Sequence, residues 1–129
     1  MRIHHHRRGF TLIELMVVVV IIGIIAGFAV VRLSGTKNRA LIAKMRSDLR
    51  ALAVQQETYF SDNERFSTSL ADLKFIATQG MEVTIVQGDA AGWSATMHPV
   101  GATTPICAVF FANAAQVAPA EREGVIGCE

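Results

Sequence analysis

FTLIELMVVVVIIGIIAGFAVV, residues 10–31, contains 22 residues and one ionisable side chain, Glu14; residues 15–31 contain none. At about 1.5 Å per helical residue, this stretch reaches about 33 Å, enough for the hydrocarbon core of a bilayer. Arg2, Arg7 and Arg8 precede it, and Arg32 follows it. A basic start followed by an apolar segment reads as an export element. The segment is longer than the roughly 7–15 apolar residues of a secretory signal that is cut away. It is therefore expected to stay with the protein as a membrane span. Basic residues at both ends leave its orientation open.

The remainder is small. The chain has 129 residues, 51% of them hydrophobic and 18% charged, which excludes disorder and collagen-like repetition. One small domain is the expected content of such a length. A head of roughly 70 residues beyond the apolar stretch encloses little volume for an active site, so no enzyme is expected.

The formal charge of +1 conceals a segregation. Residues 32–50 carry Arg32, Lys37, Arg39, Lys44, Arg46 and Arg50 against Asp48 alone, a net of +5. Residues 51–129 carry three bases against nine acids, a net of −6. The basic block suits contacts between copies, anionic lipid, or simple solvation as a helix face. It has no interleaved aromatic residues, so nucleic acid is a weaker fit.

Glu14 is the most informative single residue. A carboxylate at the middle of a membrane helix costs roughly 2.5–3.5 kcal/mol on insertion scales, and such residues are functional by default. Glu14 lies near the end of the run, where snorkelling lowers that cost. No cation lies within the run. A chain cut after Gly9 would present a new amine at Phe10, about one helical turn away in the same copy or beside Glu14 in a displaced neighbour.

Residues 8–28, RGFTLIELMVVVVIIGIIAGF, closely resemble the amino-terminal signature of type IV pilins and of the pseudopilins of type II secretion. The resemblance covers residues 7–31. It implies cleavage by a prepilin peptidase between Gly9 and Phe10 and N-methylation of the Phe10 amine. It also implies an assembly role in which Glu14 pairs with the Phe10 amine of an adjacent subunit. Val31 stands where most members have proline, so local melting during packing would fall to Gly23 and Gly27, both poor helix formers. Gly23 and Gly27 also form a GxxxG pair, which serves close helix packing or reflects ordinary glycine tolerance in membrane helices. Loss of a nine-residue leader would leave 120 residues with a side-chain charge of −2.

Beyond the span, Leu41, Met45, Leu49 and Leu52 recur at helical spacing and leave the other faces charged. The helix is expected to reach about Phe60, interrupted or bent near Ser34-Gly35, with YFSDNERF at 59–66 as a turn. Ser69 and Asp72 read as a capping box opening a short helical turn. Strands are expected at 81–87, 93–98 and 106–111, with GDAAG at 88–92 as a hairpin connection. Glu82, Thr84 and Val86 alternate with Val83, Ile85 and Gln87 as a half-buried strand would. The Ala-rich stretch 112–120 reads as loop. The expected fold is α+β: a long amino-terminal helix whose first half spans the membrane, packed against a small antiparallel sheet. The resemblance implies the same pilin-like ladle. The expected divisions are a cleaved leader 1–9, a transmembrane and assembly helix 10–31, an amphipathic helix 32–60 and a head 61–129.

Cys107 and Cys128 are the two cysteines. Export makes a disulfide natural, the alternative being two buried thiols. Many type IV pilins carry such a carboxyl-terminal disulfide loop, whereas major pseudopilins usually bind calcium there, so the pair favours a pilin. His4, His5 and His6 sit in the leader as extra basic residues or an added tag. His98 has no second ligand at useful spacing, and Asp62, Asn63, Glu64 and Asp89 read as scattered loop residues more readily than as a calcium site. No metal or cofactor is expected. Tyr59, Phe60 and Phe66 are expected to pack under the head.

The function implied is a structural subunit of a type IV pilus filament. The alternatives are a secretion pseudopilin and a minor or competence pilin binding DNA. Partners implied are further copies of the chain, the prepilin peptidase, inner-membrane assembly machinery and lipid before assembly; DNA is not indicated. The implied location is the inner membrane, single-pass, and then the cell surface.

Overall fold

The computed structural model describes residues 9–129, with residues 29–34 described as helix backbone only. The leader residues before Gly9, with Arg2, Arg7, Arg8 and the three histidines, lie outside the described residues, as does the side chain of Val31. Two compact units divide the chain, the first ending at Thr36 and the second running from Lys37 to Glu129.

Helix α1 covers Leu12–Asn63, 52 residues. It starts where Thr11 caps it and where β-branched and leucine side chains, unfavourable in isolation only by tenths of a kcal/mol, follow without a break. Helix assignment continues through Ser34-Gly35, so the expected interruption there is absent. Its end also differs from expectation. Ser61, Asp62 and Asn63 are helical, because the Asn63 side-chain amide donates to the Tyr59 carbonyl at 2.9 Å and the Glu64 amide to that of Phe60 at 2.8 Å. The turn falls one residue later, where Glu64 takes a φ of 54°.

In the first unit, the large apolar side chains from Leu12 to Phe28 are all roughly half to three-quarters exposed. Among the described residues no helix is long and apolar enough to cross a membrane. The described side chains of this run end at Phe28.

The second unit is the head. Its core forms where the helical stripe meets the sheet: Met45, Leu49 and Leu52 are fully buried beside Trp93, Ala95, Met97, Cys107 and Val109. Leu41 packs at its margin. The sheet is antiparallel with order β1-β2-β3-β4, formed by Met81–Gly88, Gly92–Pro99, Cys107–Ala112 and Gly127–Cys128. In β1, Glu82, Thr84 and Val86 are exposed, Val83 is buried, and Ile85 and Gln87 are half-buried. A register shift between Ile85 and Gln87 bulges this outer strand, which disfavours adventitious edge pairing.

The fourth strand has no counterpart in the expected fold. Two residues are too few for a pattern; β4 exists because Gly127 and Cys128 pair with Ala108 and Cys107. A Cβ at Gly127 would strike the Pro119 carbonyl, so only glycine lets the tail pass that close. Past β4, the edge of β3 is closed differently: the Gly124 amide donates to the Phe110 carbonyl and the Ala112 amide to the Glu123 carboxylate, at 2.9 and 2.8 Å.

Residues 69–75 make a single turn, in which the Leu73 amide donates to the Ser69 carbonyl at 3.3 Å, and it does not extend into a helix. Ser69 Oγ does accept the Asp72 amide at 3.3 Å, but the Ser69 amide is taken by Ser67 Oγ, so the reciprocal half of a capping box is missing. The hairpin at Asp89 closes through its carboxylate, which accepts from the Ala91 and Gly92 amides. The aromatics stack in two pairs: Phe60 on Phe66 at 4.6 Å and Trp93 on Phe111 at 5.1 Å.

Candidate functional site

The start of α1 gathers the residues that sequence reasoning singled out. Gly9 and Phe10 precede the helix, and Phe10 is 86% exposed. Glu14 lies in the first turn, where a carboxylate is favoured by the positive end of the helix dipole. Its Oε2 accepts from the Thr11 amide and from Thr11 Oγ1, each at 3.2 Å, while the Glu14 amide donates back to Thr11 Oγ1 at 3.3 Å. This is a capping box, legible as Thr-x-x-Glu at 11–14 but not anticipated. It orients Glu14 towards the Phe10 end of the helix. It does not neutralise the charge, because Thr11 carries none.

Around Glu14 the surface is apolar on every side. Leu12, Ile13, Leu15, Met16 and Val17 are 52–76% exposed. Gly23 and Gly27 lie on open helix surface, with no atom within 4 Å of where a Cβ would stand. A helix apolar all round belongs in a hydrophobic environment, whether lipid or other helices.

The basic block has a different character. Asp48, its sole acid, is engaged elsewhere: its two oxygens accept from the Thr78 amide at 2.7 Å and Thr78 Oγ1 at 2.9 Å. This ties the helix to the lead-in of β1, and Arg46 and Arg50 make no ion pair among the described residues. Gln56 serves similarly one turn beyond Leu52. Fully buried, it donates from Nε2 to the Ser67 carbonyl at 2.8 Å and accepts the Ser67 amide at 2.9 Å. Neither contact was legible, since each joins residues far apart in sequence.

Cys107 and Cys128 are joined by a disulfide across β3 and β4, closing 21 residues of sequence. Cys107 is fully buried and Cys128 half-buried. Among the described residues no group of three or more histidine, cysteine or acidic side chains could hold a metal ion. Asp89 is engaged in its own turn. The Gln87 side-chain amide, then the Ala91 and Gly92 amides, hold its carboxyl below the usual value of 3.8. His98 Nδ1 lies 3.1 Å from the Pro99 carbonyl.

Residues 4–30 match the family model described as the prokaryotic N-terminal methylation motif. The chain is 34% identical over 110 residues to the type IV major pilin protein PilA of Myxococcus xanthus, covering 82% of this chain and 50% of that protein. It is 42% identical over 73 residues to type II secretion system core protein G of Klebsiella michiganensis, covering 57% of this chain and 51% of that protein. For the core protein G of Dickeya chrysanthemi the figures are 46% over 63 residues, 49% and 41%. The chain thus spans about half the length of the relatives it matches. With the methylation motif at the head of an apolar helix and a four-stranded antiparallel sheet later in the chain, the chain is a type IV pilin-like protein.

Proposed function

We propose that the chain is a structural subunit of a type IV pilus filament. The observation that carries this reading is the exposed apolar surface of α1 from Leu12 to Phe28, crowned by a single capped carboxylate. Such a surface is stable in water only when covered. In the proposal, residues 10–31 lie in the inner membrane first, completed as a span by the apolar residues 29–31. They then pass into a bundle of like helices. Before that step the leader 1–9 is removed by a prepilin peptidase between Gly9 and Phe10, and the Phe10 amine is methylated. Glu14 pairs with the Phe10 amine of a neighbour; the Thr11 capping box, which holds its carboxylate at the amino-terminal end of α1, supports that reading. Gly23 and Gly27 allow close helix approach. Residues 32–63 continue as the amphipathic helix, and the residues beyond form the head with it, which reaches the cell surface.

A second reading is a pseudopilus subunit of a type II secretion system, favoured by the relatives named core protein G. The match to the major pilin supports the pilus, since it extends over 110 residues where those to core protein G cover 73 and 63. The disulfide supports it too. Electron microscopy of sheared surface material from cells producing the chain tests the proposal. Long filaments containing this subunit are expected, and Glu14→Ala is expected to remove them while membrane insertion persists. Normal filaments from Glu14→Ala would refute the mechanism. Absence of any filament, together with loss of protein secretion on deletion, would transfer the chain to the second reading.

A further inference from the structure

Between the helix and the carboxyl-terminal segment of the head runs a cleft of about 380 Å³. Arg46 and Arg50 line it together with Leu49, Phe111, Val125 and Ile126. Arg46 also borders the two neighbouring depressions, one shared with Arg39 and the other with Glu121 and Arg122, though Glu121 lies too far to form an ion pair with it. At spacings of seven and four, Arg39, Arg46 and Arg50 fall on one helical stripe. All three are exposed, and none makes a hydrogen bond or ion pair with another described residue. Asp48, the acid beside them, is committed to Thr78. The guanidinium groups therefore present open forks suited to carboxylates.

The acidic counterpart is at the carboxyl end of the same helix and just past it. Glu57, Asp62 and Glu64 cluster there, all exposed and none bonded through its carboxylate to a described residue. The last turn has no base. Acids there face the negative end of the helix dipole, where cations are the stabilising choice. Within one copy this is an electrostatic misfit. A cation from outside would relieve it.

We propose that the Arg46–Arg50 cleft receives the acidic end of α1, Glu57 to Glu64, from a second copy of this chain. The two patches differ, so the contact is heterologous and leaves a free cleft at one end and a free acidic end at the other. Such contacts propagate into open chains. For parallel copies the pairing implies an axial offset of about 19 Å, the rise of the helix between the two patches. The inference rests on the filament reading above and adds to it an electrostatic contact outside the apolar segment.

Zero-length carbodiimide coupling on intact filaments tests it. One full-length chain carries Arg46→Lys, Arg50→Lys, Glu57→Gln, Asp62→Asn and Glu64→Gln and is co-produced with the unaltered chain. In that mixture any link from position 46 or 50 to Glu57, Asp62 or Glu64 joins two copies, and peptide mass mapping identifies it. Such links are expected. Filaments that form without them, or that link those positions only to other acids, overturn the pairing while leaving the filament reading intact. If the unaltered chain forms no filaments, the filament reading itself fails, and the same coupling on membrane-bound protein still reports on the pairing.

Charge reversal gives an independent measure. Arg46→Glu with Arg50→Glu is expected to lower filament yield by at least about tenfold, and adding Glu57→Arg and Glu64→Arg to restore most of it. An intact disulfide and unchanged Trp93 fluorescence verify folding in each variant. Failure of the swap to restore yield in folded protein counts against the pairing.

Discussion

Gln56→Leu should weaken the head far more than its neighbour Gln55→Leu. Gln56 is fully buried and Ser67 is 3% exposed, so water cannot replace the two hydrogen bonds that join them. The substitution leaves the Ser67 amide and carbonyl without that partner in an apolar setting, at about 1–3 kcal/mol for each group. The leucine side chain returns roughly 1–2 kcal/mol through apolar burial. The net loss is then about 2.5 kcal/mol at the middle of these ranges. An exposed glutamine one position earlier should change stability by no more than about 0.5 kcal/mol. Denaturant unfolding of the full chain in detergent, followed through Trp93, reads the difference. Trp93 suits the purpose because it is the sole tryptophan, fully buried, and stacked on Phe111. Equal midpoints for the two variants would refute the reasoning, as would retention of slow hydrogen exchange at the Ser67 amide in Gln56→Leu.

Reduction of the Cys107–Cys128 disulfide, or Cys128→Ser, should cost about 3 kcal/mol on the chain-entropy scale for a loop of this length, seen as a lower unfolding midpoint; an unchanged midpoint would mean the tail is held by other contacts. Asp89 has a folded carboxyl pKa below its ordinary value of 3.8. Its stabilising contribution is therefore complete well above that value and lost as pH falls through the folded value. Acid unfolding of Asp89→Asn should be less steep below pH ~4 than that of the unaltered chain, and parallel curves would contradict the assignment. Gly127→Ala should displace the tail from Pro119 and disrupt β4, lowering hydrogen-exchange protection at the Ile106 and Glu129 amides that now pair across that edge.

The sequence by itself determined those features that depend on near neighbours. The apolar run of 10–31 is a composition signal, while the 3.6-residue recurrence of Leu41, Met45, Leu49 and Leu52 and the alternation in β1 are periodic ones that follow from which face an element must bury. The Thr11–Glu14 cap belongs in the same class, being local and readable though unread. Tertiary structure decided the rest. Gln56 and Ser67, Asp48 and Thr78, Glu123 and Ala112 are polar pairs separated by 11, 30 and 11 residues. No window of sequence contains both the donor and the reason it needs an acceptor. The two-residue β4 likewise exists only because β3 offers an edge and Gly127 lets Pro119 lie against it. Even the meaning of the basic block changed with the fold. Counted along the chain it was a net charge; once Asp48 bonds to Thr78, it becomes a row of arginines beside a cleft, making no ion pair in its own copy among the described residues.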